Sequence, residues 1–380
     1  MIAFYIIVKM KILHVLYSGL GGHGNVFFSL VRADVQKKFC YQVLFNGIEP
    51  IRDEYKERCE LLNIPYTGVL KKPGLDLKYY KQLYIEIKAA NADVVFVHSS
   101  TYILPAYLAS LFAKEKPLII VRETQANHLK TKQEWFWLGV ALLLTNKIVF
   151  LSSEYNAQVK KTFGFLYNSS KVLVIPNGID LEKFKPKHST DSAVIYIGMQ
   201  SRLVAIKDHR TLIAAFNQLC LNHPYQRFKL IIAGDGESMA SLEDFANTLA
   251  CKEHILFTGL LPETELIDFM YKLDIYVHAS LGETMSTAIM QAMACRLPII
   301  ASDVNGINNM LQNDISGILV SVQNIEAMSV ALEKCAFNKV FAQTIAANAY
   351  AFASTHYSNT VMFNKYLPLF LECDKSGRRF

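Results

Sequence analysis

Short apolar runs alternate with longer amphipathic stretches along the whole chain. The short runs are rich in Val, Ile, Phe and Tyr, which is typical of strands buried on both faces. In the first half we predict strands at 11–17, 41–45, 64–69, 93–98, 117–122, 147–152 and 171–175, and helices at 25–37, 49–62, 75–91, 99–111, 132–144 and 153–163. This alternation of strand and helix predicts a parallel, doubly wound sheet.

The alternation resumes in the second half after a break. Residues 175–184 (IPNGIDLEKF) are rich in turn formers and residues 185–192 are polar, so we predict the domain boundary here. Strands follow at 194–199, 229–233, 255–257, 275–280, 297–302 and 318–320, and helices at 208–222, 237–250, 263–271, 285–294, from 325 onward and at 359–373. We therefore expect one α/β domain over 1–185, a second over 186–357, and a C-terminal helix within 358–380.

The composition and charge narrow the class of protein. The chain has 380 residues, 52% hydrophobic and 19% charged, so two packed domains are expected and disorder is not. Up to residue 185 there are 24 Lys and Arg against 15 Asp and Glu, and beyond it 15 against 18. This basic first half points to an anionic partner. Because the basic residues are scattered, we expect no nucleic acid; an anionic membrane surface and an ordinary solvated surface both stay open.

Cysteine usage and apolar segments bear on where the protein works. The seven cysteines form no C-x-x-C pair, which favours free thiols in a reducing cytosol over a metal site. Residues 1–9 are apolar but too short to span a bilayer, and Met10 resembles a natural start. The apolar run at 135–144 is either a core helix or an interfacial helix anchored by Trp135 and Trp137. We expect a cytoplasmic protein with peripheral contact to the inner face of the membrane.

Residues 274–303 (DIYVHASLGETMSTAIMQAMACRLPIIASD) read as one strand–turn–helix–strand unit. An apolar strand leads into a turn with Thr284 as the predicted N-cap, and a helix of alternating small and large apolar residues starts at Met285. In a parallel sheet such a helix N-terminus points its free N–H groups outward and binds anions. Glu283 stands at this point, and a carboxylate suits a hydroxyl-rich ligand beside a phosphate, namely a sugar.

This unit resembles the donor-site signature of retaining family 4 glycosyltransferases, which have the GT-B fold. There a Glu is followed eight positions later by a second Glu, then by Ala-Met-Ala and a strand ending in Ala-Ser-Asp. Glu283 matches the first Glu, and Gln291 stands at the second. The resemblance implies that Glu283 contacts the donor sugar and that Gln291 bonds the ribose, which an amide can still do. The family's Gly-Phe-Gly is replaced, and the remaining predicted donor contacts of this segment are Thr284, Met285, Ser286 and Thr287.

Further segments of the second half carry the same resemblance. Arg202 and Lys207 flank a strand-to-helix loop, as do the family's Arg and Lys that neutralise the leaving nucleoside diphosphate. A guanidinium fork and an ammonium point charge are the two usual ways to hold phosphates. Gly259 and Leu260 follow a strand at the place where the family's backbone meets the base. The resemblance is specific over about 195–320, and in most of the first half it is only architectural.

A glycine-rich loop follows the first predicted strand. Gly19, Gly21 and Gly24 satisfy G-x-G-x-x-G, which predicts a dinucleotide site only if an acidic residue ends the second strand. No carboxylate occurs there before Glu49. The loop also resembles the first glycine-rich loop of the glycosyltransferases, which implies that Gly21 and Gly22 approach the donor diphosphate. A tight strand-to-helix turn without a ligand is the remaining alternative.

Two polar positions of the first half stand at predicted strand ends, where ligands gather in such sheets. His98 resembles the family's strand-end His near the reacting centre, and a hydrogen-bonded structural histidine is the alternative. Glu123 ends the next strand after Arg122. It is predicted either to contact a sugar or acceptor, or to pair with Arg122.

The resemblance implies two Rossmann-like, doubly wound domains facing a cleft, with a C-terminal helix crossing back to the first. The expected activity is retaining hexosyl transfer from a nucleoside-diphosphate sugar, UDP before GDP, to a glycan or lipid-linked acceptor in cell-surface polysaccharide or lipopolysaccharide synthesis. Arg202 and Lys207 would stabilise the diphosphate in place of a metal ion, Glu283 would orient the sugar, and no cofactor is expected. An NAD-dependent oxidoreductase built on the glycine-rich loop is one alternative. A non-catalytic GT-B partner subunit, raised by Gln291, is the other.

Overall fold

The computed structural model describes residues 9–19, 22–186 and 193–372. The chain divides into two compact units, Met1–Gly178 with Asn359–Phe380, and Ile179–Ser358. The division falls inside the turn-rich segment, ahead of the boundary predicted at 185. Gly21, most of the predicted linker and the apolar extension before Lys9 lie outside the described residues.

The first unit is a parallel sheet of seven strands in the order β3-β2-β1-β4-β5-β6-β7. Its strands are β1 (Met10–Tyr17), β2 (Phe39–Gly47), β3 (Tyr66–Leu70), β4 (Val94–Val97), β5 (Leu118–Glu123), β6 (Lys147–Phe150) and β7 (Val172–Val174). Its helices are α1 (Gly22–Ala33), α2 (Asp53–Leu61), α3 (Leu77–Ala90), α4 (Ile103–Leu111), α5 (Lys132–Leu144), α6 (Ser153–Phe163) and the last helix of the chain.

The second unit is a parallel sheet of six strands in the order β10-β9-β8-β11-β12-β13. Its strands are β8 (Val194–Gln200), β9 (Arg227–Ala233), β10 (Ile255–Gly259), β11 (Ile275–His278), β12 (Ile299–Ser302) and β13 (Ile318–Val320). Its helices are α7 (His209–Asn222), α8 (Met239–Asn247), α9 (Glu263–Lys272), α10 (Thr287–Ala294), α11 (Ile325–Phe337) and α12 (Lys339–His356). Both sheets have the predicted doubly wound order, so the predicted fold class is confirmed.

The first sheet is buried on both faces, which explains its continuous apolar strands. In β1, Ile12 and Leu16 pack into one core with α1, while Leu13 and Val15 pack into the other with α3 and α4. All four side chains are almost fully buried. Burying an aliphatic side chain contributes about 1.5–3 kcal/mol, so each such strand holds its covering helices on both sides.

The last helix, α13 (Asn359–Leu371), belongs to the first unit although the second unit precedes it in the chain. Phe363 and Phe370 pack edge-on against Phe39, with ring centroids 6.3 and 5.4 Å apart. Tyr366 is buried in the same core. The predicted return of a C-terminal helix to the first domain is therefore confirmed.

Helix α1 begins and ends earlier than the prediction of 25–37. It starts at Gly22, inside the glycine-rich loop, and stops at Ala33. Asp34 ends it, because its carboxylate accepts hydrogen bonds from the N–H groups of Lys38 at 2.9 Å and Phe39 at 3.1 Å. Lys37, which lies between Asp34 and these two residues, has a left-handed backbone with φ 49°, and the chain turns there into β2.

Helix α5 covers most of the apolar run at 135–144. A capping box between Thr131 and Glu134 starts it. Leu138, Ala141 and Leu142 are buried, so its inner face is core, as one of the two predictions had it. No helix within the described ranges has both the length and the apolar character needed to cross a bilayer.

Candidate functional site

The second sheet has one point where the winding direction changes, between β8 and β11. In doubly wound sheets the loops after two such strands leave in opposite directions, and ligands bind between them at the carboxyl edge. The loop after β8 carries Arg202 and Lys207, and the turn after β11 carries Glu283. The topology thus brings together three of the predicted site residues.

Lys207, Glu283 and His278 form one interacting group at this edge. Lys207 Nζ donates a hydrogen bond to Glu283 Oε2 and lies 3.4 Å from His278 Nε2. His278 Nε2 lies 3.3 Å from the same Oε2, and its Nδ1 lies 3.2 Å from the hydroxyl of Tyr276. The side chains of Lys207, Glu283 and His278 are 13%, 16% and 1% exposed. The imidazole is therefore held at both nitrogens behind an ion pair that still reaches solvent.

The charge states in this group follow from burial and from the neighbouring charges. Burial alone would raise the pKa of Glu283, but the Lys207 charge and the hydrogen bond with His278 outweigh it and lower the pKa to about 2. Burial, and then the charge on Lys207, lower the pKa of His278 below its ordinary value. At neutral pH the group therefore contains a cation, a carboxylate and a neutral imidazole.

Backbone hydrogen bonds fix the loop and the turn against each other. Leu281 N–H donates to Ile206 O at 2.8 Å, and the single hydroxyl proton of Ser280 is shared between Ile206 O at 3.2 Å and Gly282 O at 2.9 Å. Ser280 N–H also donates to Ser302 Oγ at 3.0 Å, which ties the turn to the end of β12. The ion pair is thus preorganised by the backbone that carries it.

The Gly-Asp-Gly turn after β9 supports the loop that carries Arg202. Gly234 and Gly236 have φ angles of 141° and 156°, and a Cβ at either would collide with the backbone of Ser201 or Leu203. Leu203 N–H donates to Asp235 O at 2.9 Å. Only glycine permits this close approach, so the Gly-Asp-Gly turn fixes the position of the backbone of Ser201 and Leu203 on either side of Arg202.

Arg202 and the predicted base-contact residues lie at the exposed rim of the same edge. The Arg202 side chain is exposed, and no ion pair or hydrogen bond to it is found within the described residues. Gly259 has a left-handed φ of 71°, its carbonyl accepts from Gly234 N–H at 2.8 Å, and Leu260 beyond it is exposed. The roles predicted for these three residues stay predictions. In the described part of the chain, no three His, Cys, Asp or Glu side chains are arranged to hold a metal ion.

Helix α10 starts two residues later than predicted, and the prediction of Thr284 as its N-cap was wrong. Ser286 is the N-cap, and its side chain accepts from Ile289 N–H at 3.3 Å. In the loop after β12, Gly306 has a φ of 91°, and a Cβ at this position would collide with the carbonyls of Glu283 and Thr284, so the loop backbone lies close against this turn. This contact holds residues 283–284 in the turn, so Thr284 and Met285 precede the helix and Thr287 is its first residue.

Gln291 lies on the inner side of α10 and is only 5% exposed. Its Oε1 is buried and has no hydrogen-bond partner among the described residues. A buried amide oxygen without a partner costs about 1–3 kcal/mol, which a hydroxyl group of a ligand would offset.

His98 of the first unit lies in a closed network. Its Nε2 is 3.0 Å from His14 Nδ1, and its Nδ1 is 3.4 Å from Arg122 Nη1. Arg122 also donates to Asn177 Oδ1 and is almost fully buried. Burial first, and then the neighbours His14 and Arg122, hold the pKa of His98 well below its usual range. Both ring nitrogens are occupied inside the protein, a geometry that favours the structural alternative for His98.

Glu123 does not pair with Arg122, which corrects one of the two predictions made for it. Neighbouring residues of a strand point to opposite faces of the sheet, so the two side chains separate. Glu123 Oε1 lies 3.5 Å from Lys130 Nζ, and both side chains are buried. Lys130 also donates to the carbonyl of Gln125, so this pair holds the loop after β5.

The structure describes the glycine-rich loop of the first unit up to Gly19 and again from Gly22. Gly22 is the first residue of α1. A Cβ at Gly19 would collide with the carboxylate of Glu49, which also accepts from the Tyr17 hydroxyl at 2.5 Å. The acid that seemed too distant in the sequence therefore lies beside the loop, because β2 runs parallel to β1 and ends next to it.

His278 and Tyr276 were missed by the sequence analysis. Positions 276 and 278 of β11 share one face of the sheet, and His278 ends the strand beside the point of reversal. The same rule about strand ends that drew attention to His98 applies equally to His278. The sequence therefore already marked His278 as a strand-end residue. Its contact with Lys207 could not be predicted, because no local sequence pattern contains it.

The chain has two doubly wound parallel sheets, and its last helix returns to the unit of the first sheet. This is the GT-B architecture. A cation–carboxylate pair lies where the winding of the second sheet reverses. The family models agree with this class. Residues 20–183 match the model described as Glycosyltransferase Family 4, and residues 180–352 match the model described as Glycosyl transferases group 1. The chain therefore belongs to the glycosyltransferase family that these two models describe.

Among curated relatives, the chain is 26% identical over 351 residues to the Escherichia coli UDP-Gal:alpha-D-GlcNAc-diphosphoundecaprenol alpha-1,3-galactosyltransferase, covering 87% of this chain and 89% of the relative. A Campylobacter jejuni relative is 26% identical over 271 residues, covering 70% and 71%. It is the N-acetylgalactosamine-N,N'-diacetylbacillosaminyl-diphospho-undecaprenol 4-alpha-N-acetylgalactosaminyltransferase.

Solved structures share the fold over nearly the whole chain. Anabaena HepE in complex with UDP and glucose superposes with a TM-score of 0.79 at 17% identity, covering 95% of this chain and 99% of HepE. A glycosyltransferase from Rickettsia africae superposes with a TM-score of 0.80 at 19% identity, covering 97% and 100%. At these identities the likeness concerns the fold.

Proposed function

We propose that this protein is a retaining glycosyltransferase that uses a nucleoside-diphosphate sugar, UDP-linked before GDP-linked, and a lipid-linked saccharide acceptor in cell-surface polysaccharide or lipopolysaccharide synthesis. The observation that carries the proposal is the half-buried Lys207–Glu283 pair, backed by His278, at the second sheet's point of reversal. Ligands bind at such points in doubly wound sheets, and this one offers both a cation for phosphate and a carboxylate for hydroxyl groups.

In the proposed reaction the bond between the sugar's anomeric carbon and the diphosphate oxygen breaks, and a bond to an acceptor hydroxyl oxygen forms on the same face. Lys207, Arg202 and the N–H groups at the start of α10 stabilise the negative charge that develops on the diphosphate. The acceptor's proton passes to a phosphate oxygen of the leaving group. Glu283 orients the sugar through its hydroxyl groups.

A covalent intermediate on Glu283 is the competing route. It needs a second carboxyl group about 5 Å away to act as acid and base. Gln291 has no carboxyl group, and Glu283 is already bound to Lys207 and His278. Attack from the front face, within an oxocarbenium-like transition state, fits the residues present. The unpartnered Gln291 Oε1 is the proposed ribose contact.

The relatives guide the choice of substrates. The Escherichia coli relative's name specifies UDP-Gal and an alpha linkage, and both relatives' names specify a diphosphoundecaprenol-type lipid carrier. On this basis we propose a UDP-sugar donor, a diphospholipid-linked saccharide acceptor and peripheral work at the inner face of the membrane. An alpha product from an alpha-configured donor requires retention, which proton NMR of the product would test through its anomeric coupling.

Calorimetric titration with UDP, GDP, ADP and NAD tests the site. We expect UDP to bind, Lys207→Ala to lose that binding, and Lys229→Ala, an exposed lysine of the same unit, to keep it. NAD binding that survives Lys207→Ala would instead move the site to the glycine-rich loop and support the oxidoreductase. Nucleotide binding without sugar transfer to any diphospholipid-linked acceptor would favour the non-catalytic subunit.

A further inference from the structure

Helices α3 and α4 pack side by side on one face of the first sheet and leave an apolar groove between them. The groove has a volume of about 320 Å³ and is lined by Tyr80, Lys81, Tyr84, Leu104, Pro105, Leu108 and Phe112. Leu104, Leu108 and Phe112 are 39%, 38% and 64% exposed. These three large apolar side chains stand four residues apart, so they lie along one side of α4 and give the groove an exposed apolar lining.

The groove changes from apolar to cationic along its length. Past Phe112 a second hollow of about 330 Å³ is lined by Lys88, Asn91, Lys114 and Glu115, among others. Lys88 Nζ lies 5.8 Å from the ring of Tyr84 and 5.9 Å from the ring of Phe112, so a cation stands where the apolar lining ends. Three lysines line the two hollows, Lys81, Lys88 and Lys114, against one glutamate, Glu115.

We propose that this surface, the α3–α4 groove with its lysines, docks the protein on an anionic phospholipid bilayer. The leucines and Phe112 enter the interfacial layer, and the lysines contact the phosphates of the headgroups. Apolar insertion and charge attraction are each weak alone, and together they give stable, salt-sensitive binding. The inference rests on the proposed function, because a lipid-linked acceptor would lie in the surface to which the groove binds.

A second copy of the chain is a poorer occupant of the groove. Most homodimers are two-fold symmetric, so the same patch on each copy would face itself. Here that would bring Lys81, Lys88 and Lys114 of one copy close to those of the other, and like charges across an interface are unfavourable. An anionic bilayer supplies apolar depth and the opposite charge at once.

Vesicle flotation of the full-length protein tests the proposal. The probes are phosphatidylcholine vesicles with and without phosphatidylglycerol, at low and high salt. We expect flotation only with the anionic vesicles, weaker at high salt. Leu104→Glu/Leu108→Glu should lower the bound fraction at least about tenfold, since it places charges in the interfacial layer. Lys88→Glu/Lys114→Glu should lower it by about the same factor and flatten the salt dependence.

Matched controls make the result specific to the groove. Leu61→Glu changes a leucine that is 77% exposed on α2, which packs against the other core of the same unit. Arg227→Glu/Lys229→Glu reverses two exposed charges of the second unit. Both should float like the unaltered chain. UDP titration of every variant keeps this test separate from the proposed function, because an unchanged dissociation constant shows an intact second unit.

Three results would overturn the proposal. The first is that the groove variants float as well as the controls. The second is that the protein binds neutral vesicles equally and without salt dependence. The third is a dimer in sedimentation equilibrium that Leu104→Glu/Leu108→Glu dissociates, since this would assign the groove to a second copy of the chain.

Discussion

The carboxyl edges of the two sheets contain similar parts in different arrangements. Each has a buried histidine beside the point where the winding reverses, His98 after β4 and His278 in β11, and each histidine lies within 3.4 Å of a cation. At the second sheet that cation is Lys207, which meets the carboxylate of Glu283. At the first sheet it is Arg122, which contacts a neutral amide, that of Asn177, and a neutral imidazole, that of His98.

Exposure separates the two edges further. Lys207 and Glu283 keep 13% and 16% of their side chains accessible, so a ligand can reach both members of the pair. Arg122 and His98 are almost fully buried, and their polar atoms bond to one another. From this difference in exposure we propose that the second edge binds the ligand and that His98 has a structural role at the first.

The largest expected effect is on the open pair. Lys207→Ala should lower kcat for sugar transfer about 10²–10³-fold, because one preorganised donor to the developing diphosphate charge is lost. Initial rates with a UDP-sugar measure this, with Lys229→Ala as the control. A rate within a few-fold of the parent enzyme would contradict the assignment of the donor site.

The closed network should respond in stability instead. Arg122→Ala should lower the free energy of unfolding of the first unit by about 2–4 kcal/mol, because it removes a buried guanidinium that bonds to Asn177 and leaves His98 Nδ1 without that contact. Both tryptophans, Trp135 and Trp137, lie in this unit, so fluorescence in urea measures its unfolding separately. UDP affinity should not change. If Arg122→Ala left the free energy of unfolding unchanged but abolished sugar transfer, Arg122 would have a role in the reaction rather than in stability.

Acid should weaken the second edge through Glu283. Its folded pKa of about 2 lies below its ordinary 4.5, so its contribution is full above pH 4.5 and is lost as the pH falls toward 2. That contribution amounts to about 3 kcal/mol at most. Hydrogen exchange of peptides covering β11 and α10 should show protection falling in this window. Glu283→Gln should remove this pH dependence of the protection. If the protection of the variant fell with pH in the same way, the effect would not come from Glu283.

The smallest expected effect concerns His278. His278→Asn should raise KM for the donor and lower kcat by a combined factor of about ten, because the ion pair loses the side chain that positions it. Tyr276→Phe should change the same constants less, since Tyr276 contacts only the imidazole in this group. His254→Asn, in the loop before β10, serves as the matched control. Equal effects of His278→Asn and His254→Asn would mean that His278 has no positioning role.

Much of the fold could be predicted because its determinants are local. Strands buried on both faces leave continuous apolar runs, as in β4 and β12, and helices between them leave a different period. Lys207 and Glu283 could be named from the sequence because the segments that carry them resemble the donor-site motifs of family 4 glycosyltransferases. Their motif is local as well, and it identified the family before any contact was known.

Contacts between distant segments were decided only by the tertiary structure. Lys207 and His278 are 71 positions apart, and they meet because β8 and β11 are neighbours in the sheet. The start of α10 at Thr287 follows a turn that lies against Gly306, and the partner of Glu123 depends on the loop that carries Lys130. Periodicity fixes which face of its own element a side chain occupies. Which other side chain it meets there depends on strand order and loop packing, which no single segment encodes.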